Sequence, residues 1–201
     1  MTAQATLPAL NSSIEEQRVY LEGDSWQQYE ALLSTLGDDF PSLRMSYSNG
    51  TLEIMTTSPL YERLKTLIGM LIEAYLQEAR IRFYGIGSAT FRKEVQEKGL
   101  EPDECYCIGA KKDFPDLAVE IVLSSGIVYK FDIYKGLGIS EIWVWESGKI
   151  TLYHLREYGH EQMKKSELLP NCDVELLAQH MNFEDEYDAI MSYREALRAG
   201  A

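Results

Sequence analysis

The sequence predicts an α/β (α+β) fold, a mixed central β-sheet flanked by helices, and three stretches carry that prediction. Asn49-Gly50 stands between the alternating runs RMSYS and TLEIM, the strongest short-range hairpin signal. Ser58-Pro59 opens a long helix in which Leu60, Leu64, Leu67, Ile68, Leu71, Tyr75 and Leu76 share a face. The run LAVEIVL, residues 117–123, is apolar on both alternating faces, as expected of a central strand covered on both sides. Such a mixture of strands and helices belongs to the α/β and α+β architectures.

Taken in order, residues 1–20 read as a loose leader and residues 21–201 as one domain. DSWQQYEALLSTLG begins a helix at Asp24 or Ser25, with Trp26, Tyr29, Leu32 and Leu33 at helical spacing. After the hairpin and the long helix, IRFYGIGSATFRKE reads as strand with a glycine bend. LEPDECYCI and PDLAVEIVL read as two strands joined by the polar turn GAKKD. A short helix from about Ile127 is stopped by Gly136 and Gly138. EIWVWESGKITLYHL is a second hairpin, turning at Ser147-Gly148. VELLAQHM and FEDEYDAIMSYREALRA form a C-terminal helical extension.

The 201 residues are 45% hydrophobic and 11% aromatic, enough to build an ordinary core. No stretch approaches the roughly 20 apolar residues that span a bilayer. The start, MTAQATLPALNSSIEEQ, lacks the basic and apolar regions of a signal peptide, so a cytoplasmic chain is expected. Cys105, Cys107 and Cys172 have neither zinc nor disulfide spacing and read as small core residues. His154, His160 and His180 likewise show no metal spacing, and Trp143 and Trp145 read as packing. A net charge of −13 argues against a large basic surface for nucleic acid.

The chemistry centres on Glu120, a carboxylate in the most apolar segment of the chain. Isolated burial costs such a group several kcal/mol, so it needs a partner. Period two places Asp116, Ala118, Glu120 and Val122 on one face. In the following helix Lys130 lies three residues after Ile127 and four before Tyr134, on or beside the apolar stripe, where it can pair with Glu120. Asp103 falls beside Glu120 if the two strands are hairpin neighbours. Two carboxylates on adjacent strands suit a hard divalent cation, and a nearby ammonium can orient the water it activates. Asp116 shares the face of Glu120 as either a supporting acid or strand-start punctuation.

These residues also carry a resemblance. EPD, PDLAVEI, a helix bearing lysine and tyrosine, and LGISEIWVW together resemble the restriction endonucleases known as Uma-two, of the PD-(D/E)XK nuclease superfamily. LEIMTTSPLYERLK is similar to that family's LEIM-x-PS-P segment and opening helix, and GSATFR to its GS-x-T strand, so most of the chain is covered. The resemblance implies a restriction-endonuclease-like core and a Mg2+- or Mn2+-dependent endonuclease hydrolysing DNA phosphodiester bonds. Asp103 and Glu120 would be the motif acids and metal ligands. Lys130 would serve as the motif lysine, since Val122 occupies its usual place. Glu62, with Glu73 as its rival, would be the first-motif acid. Tyr61 stands where the family commonly has histidine, and Ser124-Ser125-Gly126 is a short loop for the family.

Two other readings share these residues: a nuclease fold kept as a binding or assembly module, with Glu120 paired directly to Lys130, and a hydrolase of a small phosphorylated molecule, which suits the acidity. Strands such as EIWVW read as exposed and make a homodimer plausible.

Overall fold

The computed structural model describes residues 16–37, 39–40, 42–123, 127–181 and 185–200. The chain begins with β1 (Arg18–Glu22), α1 (Trp26–Leu36), β2 (Leu43–Ser48), β3 (Thr51–Thr56) and the long helix α2 (Pro59–Glu78). Four short strands follow: β4 (Phe83–Gly85), β5 (Phe91–Lys93), β6 (Lys98–Leu100) and β7 (Glu104–Ile108). Next come β8 (Leu117–Val122), α3 (Ile127–Leu137), β9 (Glu141–Glu146), β10 (Lys149–Leu155) and β11 (His160–Met163). Helices α4 (Val174–His180) and α5 (Glu186–Ala199) complete it.

The local signals act as the chemistry requires. Ser25 caps α1, accepting from the Gln28 amide while the Gln28 side chain accepts from the Ser25 amide. Ser58 caps α2 with Pro59 in its first turn. Asn49 and Gly50 both take positive φ, 47° and 87°, as the tight turn between β2 and β3 demands.

The predicted mixed sheet runs β11-β10-β9-β8-β7-β4, and its one parallel pair, β8 with β9, is bridged by α3. All six residues of β8 are buried. Leu117, Val119 and Ile121 face the core made with α2, α4 and α5, while Ala118 and Val122 face the core made with α3. Glu120, on the alternate register, shares that second face. Each fully buried large apolar side chain in these cores contributes about 1.5–3 kcal/mol.

A second, antiparallel sheet, β1-β3-β2-β6-β5, was not anticipated; the Asn49-Gly50 hairpin is its centre. Trp26 and Tyr29 of α1 pack with Met45, Tyr47 and Leu52 on one of its faces. Phe91 and Leu100 of its strands join Ile133, Tyr134 and Leu137 of α3, so α3 lies between the two sheets.

Four expectations need correction. Residues 1–15 lie outside the described residues, and the stretch expected as leader ends instead in β1, which pairs along β3 from Arg18↔Met55 to Glu22↔Thr51. The glycine-bent strand is two strands in different sheets, β4 pairing β7 and β5 pairing β6, because the chain crosses between sheets after Gly85. EIWVW is an inner strand, paired by β8 on one edge and β10 on the other, so it presents no exposed edge to a second copy. Leu60 is 55% exposed and leaves the stripe of α2; Tyr61 turns inward there. The short loop 124–126 lies outside the described residues.

No helix among the described residues is long and apolar enough to cross a membrane. The cysteines are free, with Cys105 and Cys107 buried.

Candidate active site

The antiparallel register pairs Glu104 with Val119 and therefore sets Asp103, one residue earlier, opposite Glu120, one residue later. Both acids are only 1% exposed. Asp103 stands just ahead of β7, where its Oδ2 accepts from the Ile121 amide at 2.7 Å and its Oδ1 accepts from the Tyr61 hydroxyl. Opposite it, Glu120 Oε2 accepts from the Lys130 ammonium at 2.6 Å, and Oε1 accepts from the Tyr134 hydroxyl. Lys130 is 6% exposed, so its ammonium is held inside and does not reach past the helix to solvent.

The electrostatics follow from burial. Loss of solvent pushes the Glu120 carboxyl above its ordinary range, Lys130 pulls against that rise, and Asp103 adds to it. Burial pulls the Lys130 ammonium down, yet Glu120 and Asp103 outweigh it and keep it protonated. Burial, and then the neighbouring carboxylates, push the Tyr61 and Tyr134 hydroxyls well above the phenol range, so both remain donors.

The other expected residues separate into two groups. Glu62 lies at the rim, 3.2 Å from Arg44 and 2.7 Å from Lys65. Burial raises its pKa, but Lys65, Thr57 and Arg44 outweigh that and hold it below the usual carboxylate range. Asp116 sits at the opposite end of β8. Its Oδ2 accepts from the Ile108 amide at 2.8 Å and its Oδ1 from Lys112 at 2.6 Å, so it closes the β7–β8 turn. Four strand steps separate it from Glu120, about 13 Å of chain. Glu73 belongs to the α2 side of the sheet, where it acts on Glu104, whose carboxyl burial pushes up to about 7. Of the histidines, His154 lies between Glu141 and Glu167, at 3.6 Å and 3.3 Å, on β10.

Several residues here were not anticipated. Tyr134 reads as part of an apolar stripe in the helix whose lysine and tyrosine carry the resemblance, with no role at Glu120, and Tyr61 reads only as a replacement. More telling is Glu53 of β3, 2% exposed, which shares a small cavity with Arg44, Ser46, Glu101 and Lys130. The signal was present: Glu53 interrupts the apolar run LEIM just as Glu120 interrupts LAVEIVL.

Among the described residues no group of three or more His, Cys, Asp or Glu converges to hold a metal ion. The donor set at Asp103 and Glu120 still fits a hard cation, because magnesium commonly uses one or two carboxylates and leaves its other positions to water and phosphate. Both oxygens of Asp103 and Oε1 of Glu120 accept from neutral donors and have lone-pair capacity left for a cation, whereas Glu120 Oε2 is taken by the Lys130 ammonium.

Against known proteins, the family model Uma2, described as "Putative restriction endonuclease", matches residues 26–182. No curated protein matches the chain at a significant level.

Proposed function

The chain belongs to the Uma2 family, and from that membership together with the geometry at Glu120 we propose that it is a divalent-metal-dependent endonuclease hydrolysing DNA phosphodiester bonds. The observation that carries this reading is the placement of Asp103 opposite Glu120 with the Lys130 ammonium 2.6 Å away. Asp103 and Glu120 would hold magnesium or manganese. When bound, that cation supplies Lewis-acid activation of a water and stabilises charge on the phosphate. The chain's own groups do the rest. The Ile121 amide and Tyr61 hydroxyl fix the Asp103 carboxylate, and Tyr134 fixes that of Glu120. Lys130 is a protonated donor able to orient the attacking oxygen and offset developing negative charge.

A second reading has its own observation. The direct Lys130–Glu120 contact, with a net charge of −13, suits a nuclease fold kept for binding or assembly. A plasmid-nicking assay with manganese, magnesium or chelator, run beside Glu120→Ala and Lys130→Ala, separates the two. Metal-dependent nicking lost in both variants supports the endonuclease. A folded wild-type chain that nicks under no metal supports the binding module.

A further inference from the structure

The cavity against Lys130 has about 10 Å³ of free space and is lined by Arg44, Met45, Ser46, Glu53, Glu101 and Lys130. That is room for one small group or a modest side-chain shift. Its polar wall comes from the second sheet, where Ser46 of β2 and Glu53 of β3 are direct cross-strand partners. Period two turns both away from the α1 core and toward α3.

Glu53 is held at one oxygen only. Arg18 and Tyr20 of β1 engage it from the sheet edge, with Arg18 donating to Oε1 at 3.4 Å. Glu53 Oε2 and Ser46 Oγ are both buried and have no hydrogen-bond partner among the described residues. A buried carboxylate oxygen without a donor is costly, and natural structures retain few of them. The buried ammonium of Lys130 lines the same cavity, and Glu53 already helps to hold its charge.

The reading of Asp103 and Glu120 as the metal acids, on which this inference rests, poses a problem at Glu120 Oε2. An ammonium and a divalent cation cannot both sit against one oxygen without strong like-charge repulsion. Lys130 then has to leave Glu120, and it needs an acceptor close by. We infer that Glu53 Oε2 and Ser46 Oγ are that acceptor, a second resting place for the Lys130 ammonium across the cavity. Glu53 is thus a positioning residue that acts through Lys130: it frees Glu120 for the cation while keeping the ammonium beside the site.

Manganese titration calorimetry on the full chain tests this, using wild type, Glu120→Ala, Glu53→Gln, Ser46→Ala, Lys130→Met and Glu53→Gln/Lys130→Met. Glu53→Gln should weaken manganese binding about tenfold or more, because the displaced ammonium loses a charged acceptor. Ser46→Ala should weaken it by less. With Lys130 replaced by methionine there is no ammonium to relocate, so adding Glu53→Gln should change affinity by less than about twofold. Glu53→Gln binding at wild-type affinity overturns the inference alone. So does equal weakening in both backgrounds, which would make Glu53 a plain charge near the site. If Glu53→Gln does not fold, Ser46→Ala decides, and wild-type affinity there overturns the inference. A wild-type chain without heat that depends on Glu120 overturns the metal reading, and the inference with it.

Discussion

The Tyr61 hydroxyl, in the first turn of α2, donates to Asp103 Oδ1 ahead of β7. This bond ties the start of the longest helix to the strand pair that carries the candidate acids. The Ile121 amide holds the other oxygen of Asp103, so a helix terminus and a strand backbone together fix one carboxylate.

Tyr61→Phe removes that donor and keeps the ring. The expected loss is about 1–3 kcal/mol of stability, the cost of leaving a buried acceptor unpaired. Urea denaturation measures it, and an unchanged midpoint would show that the bond contributes nothing net.

Lys130→Met leaves Glu120 as a lone buried anion, and the expected cost is about 3–5 kcal/mol near pH 8. The sign of the pH dependence follows. Without its ammonium, the Glu120 pKa in the folded chain stands further above its unfolded value, so the folded chain holds the proton more tightly. The stability tied to that proton is complete below the unfolded value and is lost as pH rises through the folded one. The gap to wild type should therefore narrow at pH 5. A gap of equal size at both pH values would mean that Glu120 does not titrate in this range.

Glu104 offers a milder titration on the other face of the sheet. Burial first, opposed by Lys65 and reinforced by Glu73, Asp103 and Glu62, raises it from 4.5 to about 7. Its contribution to stability is complete below pH 4.5 and disappears as pH climbs through about 7. Glu104→Gln should flatten this part of the stability profile, gaining on wild type as pH goes from 5 to 8. Parallel profiles for the two proteins would contradict the shift.

Glu141, wholly buried at the start of β9, accepts from the Trp143 indole at 2.7 Å and from the Glu167 and Leu168 amides at 3.1 Å each. This glutamate of the LGISEIWVW segment is thereby a staple between β9 and the loop after β11. Glu141→Ala strands three donors and should cost about 3 kcal/mol or more. Amide exchange at Glu167 and Leu168 should accelerate more than exchange in β2 or β3. Unchanged exchange at those two amides would remove the staple from the account.

Much of this arrangement is written in short-range pattern. Asn49-Gly50 and Ser147-Gly148 announce their hairpins because few other dipeptides accept positive φ at two successive positions. Lys130 can be paired with Glu120, and Asp103 placed opposite it, because strand period and hairpin register are arithmetic on the chain. Tyr61, Tyr134 and Glu53 escape that arithmetic. Their hydroxyls and carboxylate meet the site across helix–strand and sheet–helix contacts that no local spacing encodes.

The alternation Met45, Ser46, Tyr47, Ser48 shows the difference most clearly. It specifies a strand with one apolar and one polar face, and chain physics requires no more than that. In the folded protein Ser46 and Ser48 are nonetheless buried, because α3 lies over that face. A residue's own neighbours in sequence dictate whether a face is polar. Whether that face meets water or a buried lysine depends on which distant element packs over it, and here α3 comes to rest there because its apolar side is buried between the two sheets.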